Sequence, residues 1–132
     1  METKNGVQSV KVVPGRRIVI STGAGKASVE ELRKLTDTVL DSAKQWKQLG
    51  WAYVADCSQV APVSPAEAGE LVIMTKKLVE AGCQALGFAE GKSIMLKVQA
   101  QKNTERSATG VAEGHFATIE EVLEWLKTEI KI

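Results

Sequence analysis

The segment from Trp51 to Phe88 constrains the fold more than any other part of this chain. An apolar run, Trp51-Ala52-Tyr53-Val54-Ala55, ends at Asp56. A short connection leads to Ser64-Pro65-Ala66-Glu67, which opens an amphipathic run stopped by Gly82, and a second apolar run from Cys83 to Phe88 follows. Strand, loop, capped helix and strand in this order form the layout of a βαβ unit. Two strands joined through a helix are parallel neighbours, so the chain is an α/β protein with the helix laid on the sheet.

Two more strands precede this unit. Residues 7–13 and 16–22 alternate through Val10, Val12, Ile18 and Ile20 and are joined by a tight turn at Pro14-Gly15. Three segments open with a Ser/Thr-x-x-Glu box: Ser28 with Glu31, Ser64 with Glu67, and Thr118 with Glu121. In each, the hydroxyl accepts from the amide three residues on and the glutamate reaches back to the cap's own amide.

The first box predicts a helix over residues 29–48, with Leu32, Leu35, Val39, Ala43 and Trp46 on one face and a Glu30–Lys34 pair on the other. The second predicts a helix over 65–81, where Pro65 at the first position loses no needed hydrogen bond; its inner stripe is Leu71, Val72, Thr75, Leu78 and Val79. The third predicts a helix over 119–130 that buries Val122, Leu123, Leu126 and Ile130. Residues 92–106 carry both periods. A strand there leaves a long structureless stretch before the last helix, so helix is preferred, followed by a short strand near 108–112.

The order β-β-α-β-α-β-α-β-α ends in Phe116-Ala117-Thr118-Ile119-Glu120-Glu121-Val122-Leu123-Glu124-Trp125-Leu126. This resembles the STAS-like superfamily of sulfate transporters and anti-sigma factor antagonists, and within it the uncharacterised bacterial branch. The resemblance covers nearly the whole chain from about Val10. It implies one domain with a four- or five-stranded mixed sheet and helices packed mostly on one face. In anti-sigma antagonists a strand ends in Asp-x-Ser, and an Asp-Ser pair stands at the next helix start, its serine phosphorylated. Asp56-Cys57-Ser58 matches the first part, but the same spacing puts Ser64 at the aspartate and Pro65 at the phosphorylated serine. Proline has no hydroxyl, so the usual switch is absent. Ser64 is the remaining candidate for phosphate, since a helix N-terminus favours negative charge, with Ser58 as a second; the plainer role of Ser64 is a helix cap.

The balance of 17 basic and 16 acidic side chains, net +1 among 132 residues, gives no electrostatic reason to expect nucleic acid as partner. No apolar stretch approaches the roughly 20 residues that span a bilayer, and Met1-Glu2-Thr3-Lys4-Asn5-Gly6 lacks a signal region, so a cytoplasmic protein is expected. Thr22-Gly23-Ala24-Gly25-Lys26-Ala27-Ser28 departs from a phosphate loop, with Ile20 at the first glycine position and Ala27 after the lysine. Its glycines are read as the turn into the first helix.

Cys57 and Cys83 have no C-x-x-C spacing and are read as small buried residues, and with His115 they make no zinc pattern. No metal and no cofactor are expected. A catalytic reading would recruit Cys57, His115 and Asp56, but nothing in the sequence converges them, and His115 beside Gly114 is read as an exposed loop histidine. Trp46 and Trp51, either side of Gly50, are read as packing residues.

These readings point to a non-enzymatic α/β module that works by binding. The expected contact is the strand end and helix start over residues 56–67: Asp56, Ser58, Val60, Val63 and Ser64. Asp56 is read first as an organiser of its own loop. The partner is a protein or a second copy of the chain, as in a homodimer. The alternative is a small apolar, lipid-like ligand between sheet and helices, lined by residues such as Met74, Leu78 and Ile94.

Overall fold

The computed structural model describes the backbone of residues 2–5 and all of residues 8–132. Among these residues six strands form one sheet in the order of the chain: β1 (Glu2–Asn5), β2 (Gln8–Val12), β3 (Ile18–Gly25), β4 (Trp51–Val60), β5 (Cys83–Ala89) and β6 (Ala112–Phe116). The first three pair antiparallel, because the connections between them are too short for a crossover. From β3 to β6 every pairing is parallel, and a helix fills each crossover: α1 (Val29–Ala43), α2 (Pro65–Glu80) and α3 (Ile94–Ser107). A fourth helix, α4 (Ile119–Trp125), closes the order. β1 takes the sheet beyond the four or five strands expected, and Val7, expected to open the next strand, lies outside the described residues.

Alternation along the strands divides the core. Val19, Tyr53 and Leu86 face α1, α2 and α3 with Leu32, Leu35, Val39, Met74 and Leu78. Ile18, Ile20, Ala52, Val54 and Ala85 face the other way, against Val122 and Leu126. Three helices therefore cover one face and α4 the other, so the helices lie mostly on one face. Trp51 is fully buried, and its indole donates to Ala81 O at 2.9 Å, tying β4 to the end of α2. α4 lies close because Gly87 and Gly114 face it: a Cβ on Gly87 would fall 2.3 Å from Val122 Cγ1, and one on Gly114 3.1 Å from the Trp125 indole.

All three capping boxes form. At α1 the Ser28 amide donates to Glu31 Oε1 at 2.9 Å and the Glu31 amide to Ser28 Oγ at 3.1 Å. The Glu30–Lys34 pair is present on the exposed side. Helix is also the outcome at 92–106, where Ser93 caps α3 by accepting from the Leu96 amide.

Several boundaries differ from expectation. α1 stops at Ala43 and tightens into a 3-10 turn over Lys44–Trp46, not reaching residue 48. The last helix leaves α geometry at Trp125 and widens to a π turn over Leu126–Ile130, its end pinned by Arg16 Nη2 donating to Leu123 O and Ile132 O. β3 runs on to Gly25 and β4 to Val60, with a shift of register between Thr22 and Ala24. Gly23 to Gly25 are thus strand, not a turn, and the connection expected after Asp56 begins only after Val60. The final strand is Ala112–Phe116, not 108–112, because α3 continues to Ser107 and unwinds through left-handed Ala108 and Gly110.

A cavity between the sheet and three helices

The space between the sheet and α1, α2 and α3 is not filled. It holds a cavity of about 140 Å³. Its walls are mainly apolar: Leu32 and Leu35 from α1, Leu71, Met74 and Leu78 from α2, Leu86 and Phe88 from β5, and Leu96 from α3. Tyr53, Ser21 and Gln8 contribute polar atoms from the sheet, and Gln99, Asn103 and Thr104 from α3. Lys26, with a side chain 60% exposed, and half-buried Asp56, Val60 and Val63 form the rim.

Of the residues expected at the contact, Asp56, Val60 and Val63 come together around this cavity, while Ser58 and Ser64 stand outside it. Asp56 Oδ1 accepts from the Ser58 amide at 3.4 Å and hydroxyl at 3.0 Å, an arrangement internal to the strand end. Ser64 is half-buried in its cap, its amide donating to Glu67 Oε1 at 3.4 Å. The Ser64 side chain, hydrogen-bonding the carboxylate, with the Ser64 amide and Lys26 at 3.7 Å, holds the Glu67 carboxyl below its usual range. Met74 and Leu78 line the cavity as expected, but Ile94 does not: it is 78% exposed on the outer side of α3. A residue missed in the sequence is Gln99, whose amide accepts from Val63 N at 3.1 Å and donates to Val63 O at 3.2 Å. It fastens α3 to the rim. The signal that finds it is its place on the α3 face that also carries Leu96 and Asn103.

His115 departs furthest from expectation. It sits in β6, opposite Phe88, with a side chain only 8% exposed. Its ring stacks on Phe88 at 5.0 Å with an 8° interplanar angle. Nδ1 lies 3.0 Å from both carboxylate oxygens of Glu90. Nε2 lies 3.0 Å from Glu113 Oε2, near enough for an ion pair but not aimed as a hydrogen bond, and neither atom has another partner among the described residues. Burial pushes the imidazole pKa down; the hydrogen bond to Glu90 and the charges of Glu90 and Glu113 outweigh it and hold the value above the ordinary one. The ring nitrogens therefore serve the two glutamates, not Cys57.

Cys57 donates weakly to Ala89 O at 3.5 Å, and burial with the nearby charges of Glu90 and Asp56 pushes its thiol up to about 12. Burial pushes Cys83 to about 12 as well. Such thiols are neutral at ordinary pH and are poor nucleophiles. Among the described residues no three His, Cys, Asp or Glu side chains converge as a metal site requires. No described helix is long and apolar enough to cross a membrane.

No protein family and no curated protein matches the chain in sequence. The fold does have a counterpart. An uncharacterised protein of the DUF3478 family with a SpoIIAA-like fold, from Shewanella loihica PV-4, superposes with a TM-score of 0.67 over 89% of this chain and 90% of that one, at 14% identity. The chain has a SpoIIAA-like, STAS-like fold. At that identity the likeness carries the architecture and leaves the role of the cavity to its own chemistry.

Proposed function

We propose that this SpoIIAA-like chain is a non-enzymatic binding protein whose ligand is a small, largely apolar molecule held between the sheet and helices α1 to α3. The observation that carries the reading is the cavity itself. Close-packed interiors leave few voids larger than a water molecule. A space of about 140 Å³ walled by leucines, a methionine and a phenylalanine is comparable with an apolar cavity of about 150 Å³ that takes up benzene. Its rim coincides with Asp56, Val60 and Val63, at the carboxyl end of a parallel strand, where α/β proteins commonly take ligands.

Native mass spectrometry of the chain captured from its host, beside calorimetry with small aromatics, tests the reading. The expected result is a small-molecule adduct or a measurable affinity that Met74→Trp, which fills the space, abolishes. A bare chain that takes up no apolar compound overturns it.

A second reading retains residues 56–67 as the contact for a protein partner or a second copy of the chain, with Ser64 as a phosphorylation site. What favours it is that β4 projects Ser58 and Gln59 as exposed residues beside the rim. A ligand against Val60 and Val63 would alter the surface that such a partner meets. Charge introduced at Ser58 and Gln59, outside the cavity in the case of both residues, separates the two readings: it should weaken partner capture and spare ligand binding.

A further inference from the structure

We infer, building on the apolar-ligand reading above, that the cavity selects an uncharged molecule carrying a hydrogen-bonding group, and that Gln8 and Asn103 read that group. Buried polar groups in folded proteins are nearly always hydrogen-bonded. Most polar side chains around this cavity obey the rule. Ser21 and Tyr53 share a hydrogen bond of 2.5 Å. Thr75 donates to Leu71 O at 3.0 Å, Thr104 to Ala100 O at 3.1 Å, and Gln99 is spent on Val63.

Gln8 and Asn103 make no such bond. They are 7% and 8% exposed, both line the cavity, neither side-chain amide has a hydrogen-bond partner among the described residues, and the amide atoms are left to the water of the cavity. Each offers two N–H donors and a carbonyl acceptor. Gln8 is seated by the backbone: it pairs with Gly23 across β2 and β3, and a Cβ at Gly23 would fall 2.6 Å from Gln8 Oε1. The amide occupies the place that any larger residue at 23 would claim. Asn103 faces the same space from α3. One wall of sheet and one of helix thus each present an unspent amide to an otherwise apolar chamber.

The charge of the ligand follows from what else is there. The basic and carboxylic side chains on the cavity wall are Lys26 and Asp56, and both are engaged at the rim, Lys26 with Glu67 and Asp56 with Ser58. A carboxylate placed inside would lose its water and gain no cation, a loss that neutral amides do not repair. A wholly apolar ligand would displace water from both amides and return nothing to them. A carbonyl, primary amide or hydroxyl on an apolar body returns the bonds without bringing charge. The ligand class is a neutral amphiphile.

A set of one-ring compounds tests this by calorimetry at pH 7: toluene, benzyl alcohol, benzamide and benzoate, matched in size and differing in the polar group. The expected order places benzamide and benzyl alcohol at least tenfold tighter than toluene and benzoate. Gln8→Leu and Asn103→Leu should bring benzamide and toluene to equal affinity, with continued toluene binding showing that the variants are folded. Toluene as tight as benzamide in the unaltered protein, or benzoate as tight, overturns the inference and leaves the apolar-ligand reading standing. Failure of all four to bind overturns both. The unaltered protein decides the matter even where a variant fails to fold.

Discussion

His115 and Glu90 meet through one nitrogen and two oxygens: Nδ1 is 3.0 Å from each oxygen of the carboxylate, and both side chains are more than nine-tenths buried. A neutral imidazole can supply that nitrogen's proton, but only an imidazolium also answers the second carboxylate, Glu113, at 3.0 Å from Nε2. The folded protein therefore binds the histidine proton more tightly than the unfolded chain. The stabilisation is complete below about pH 6.5, the value of a free histidine, and is lost as pH rises through the raised folded value. The chain has one histidine, so a single imidazole resonance reports the titration. Its midpoint should lie above that of a free histidine, and Glu113→Gln should lower it. A midpoint at or below the free value would show that the two carboxylates do not hold the charge.

Gln99 bonds both the amide and the carbonyl of the rim residue Val63. Gln99→Leu removes two hydrogen bonds at a half-buried position, a loss of about 1–2 kcal/mol in global stability. Its larger effect should be kinetic: with α3 unfastened from the rim, bound ligand leaves faster. Stopped-flow displacement of a bound aromatic measures it, and an unchanged dissociation rate would assign Gln99 to stability alone.

Gly87→Ala should destabilise the protein by roughly 1–3 kcal/mol, the range for forced overpacking. The added methyl would meet Val122 Cγ1 at 2.3 Å, and Val122 is fully buried, so α4 must shift. Val122→Ala on its own should also destabilise, but the two changes together should recover part of the loss. Urea unfolding of the four proteins closes the cycle, and strict additivity would mean that the helix moves away without resistance.

The thiols of Cys57 and Cys83, both pushed up to about 12, should react slowly with iodoacetamide at pH 8 in the folded state and rapidly after unfolding. Cys57 also lines the cavity, so a bound ligand should slow its alkylation further. Peptide mapping after timed labelling reads each cysteine separately. Equal protection of Cys57 with and without ligand would place the ligand elsewhere.

The elements carried by strong local signals were legible before any coordinates. Three capping boxes mark three helix starts, and the Trp51–Phe88 segment fixes two parallel strands with a helix between them. The last strand was expected but placed too early, near 108–112, for a physical reason: Ala112-Glu113-Gly114-His115-Phe116 has no branched residue, and its apolar positions are an alanine, a glycine and one phenylalanine. It becomes a strand because β5 offers it an edge, Gly114 lets Trp125 approach, and Glu113 Oε2 lies 3.0 Å from His115 Nε2 on the same face. That his-tidine position reads as a loop in isolation follows from the same composition. Asp56, Val60 and Val63 were placed at or just beyond the carboxyl end of β4 by the break after an apolar run. Gln8 and Asn103 were invisible, since a glutamine beginning a strand and an asparagine late in a helix look like surface residues until the opposite wall is known.

The sheet runs in the order of the chain, β1 to β6, without a strand returning between two others. A chain emerging from the ribosome in that order completes β2 to β5, α1 and α2 while α3, which carries Leu96, Gln99, Asn103 and Thr104, is still to come. Until then the future chamber is an open trough with its leucines facing water. On the apolar-ligand reading, a molecule can be laid in during synthesis before the last helix of that face closes over it, so the first loading and every later exchange need not share a route.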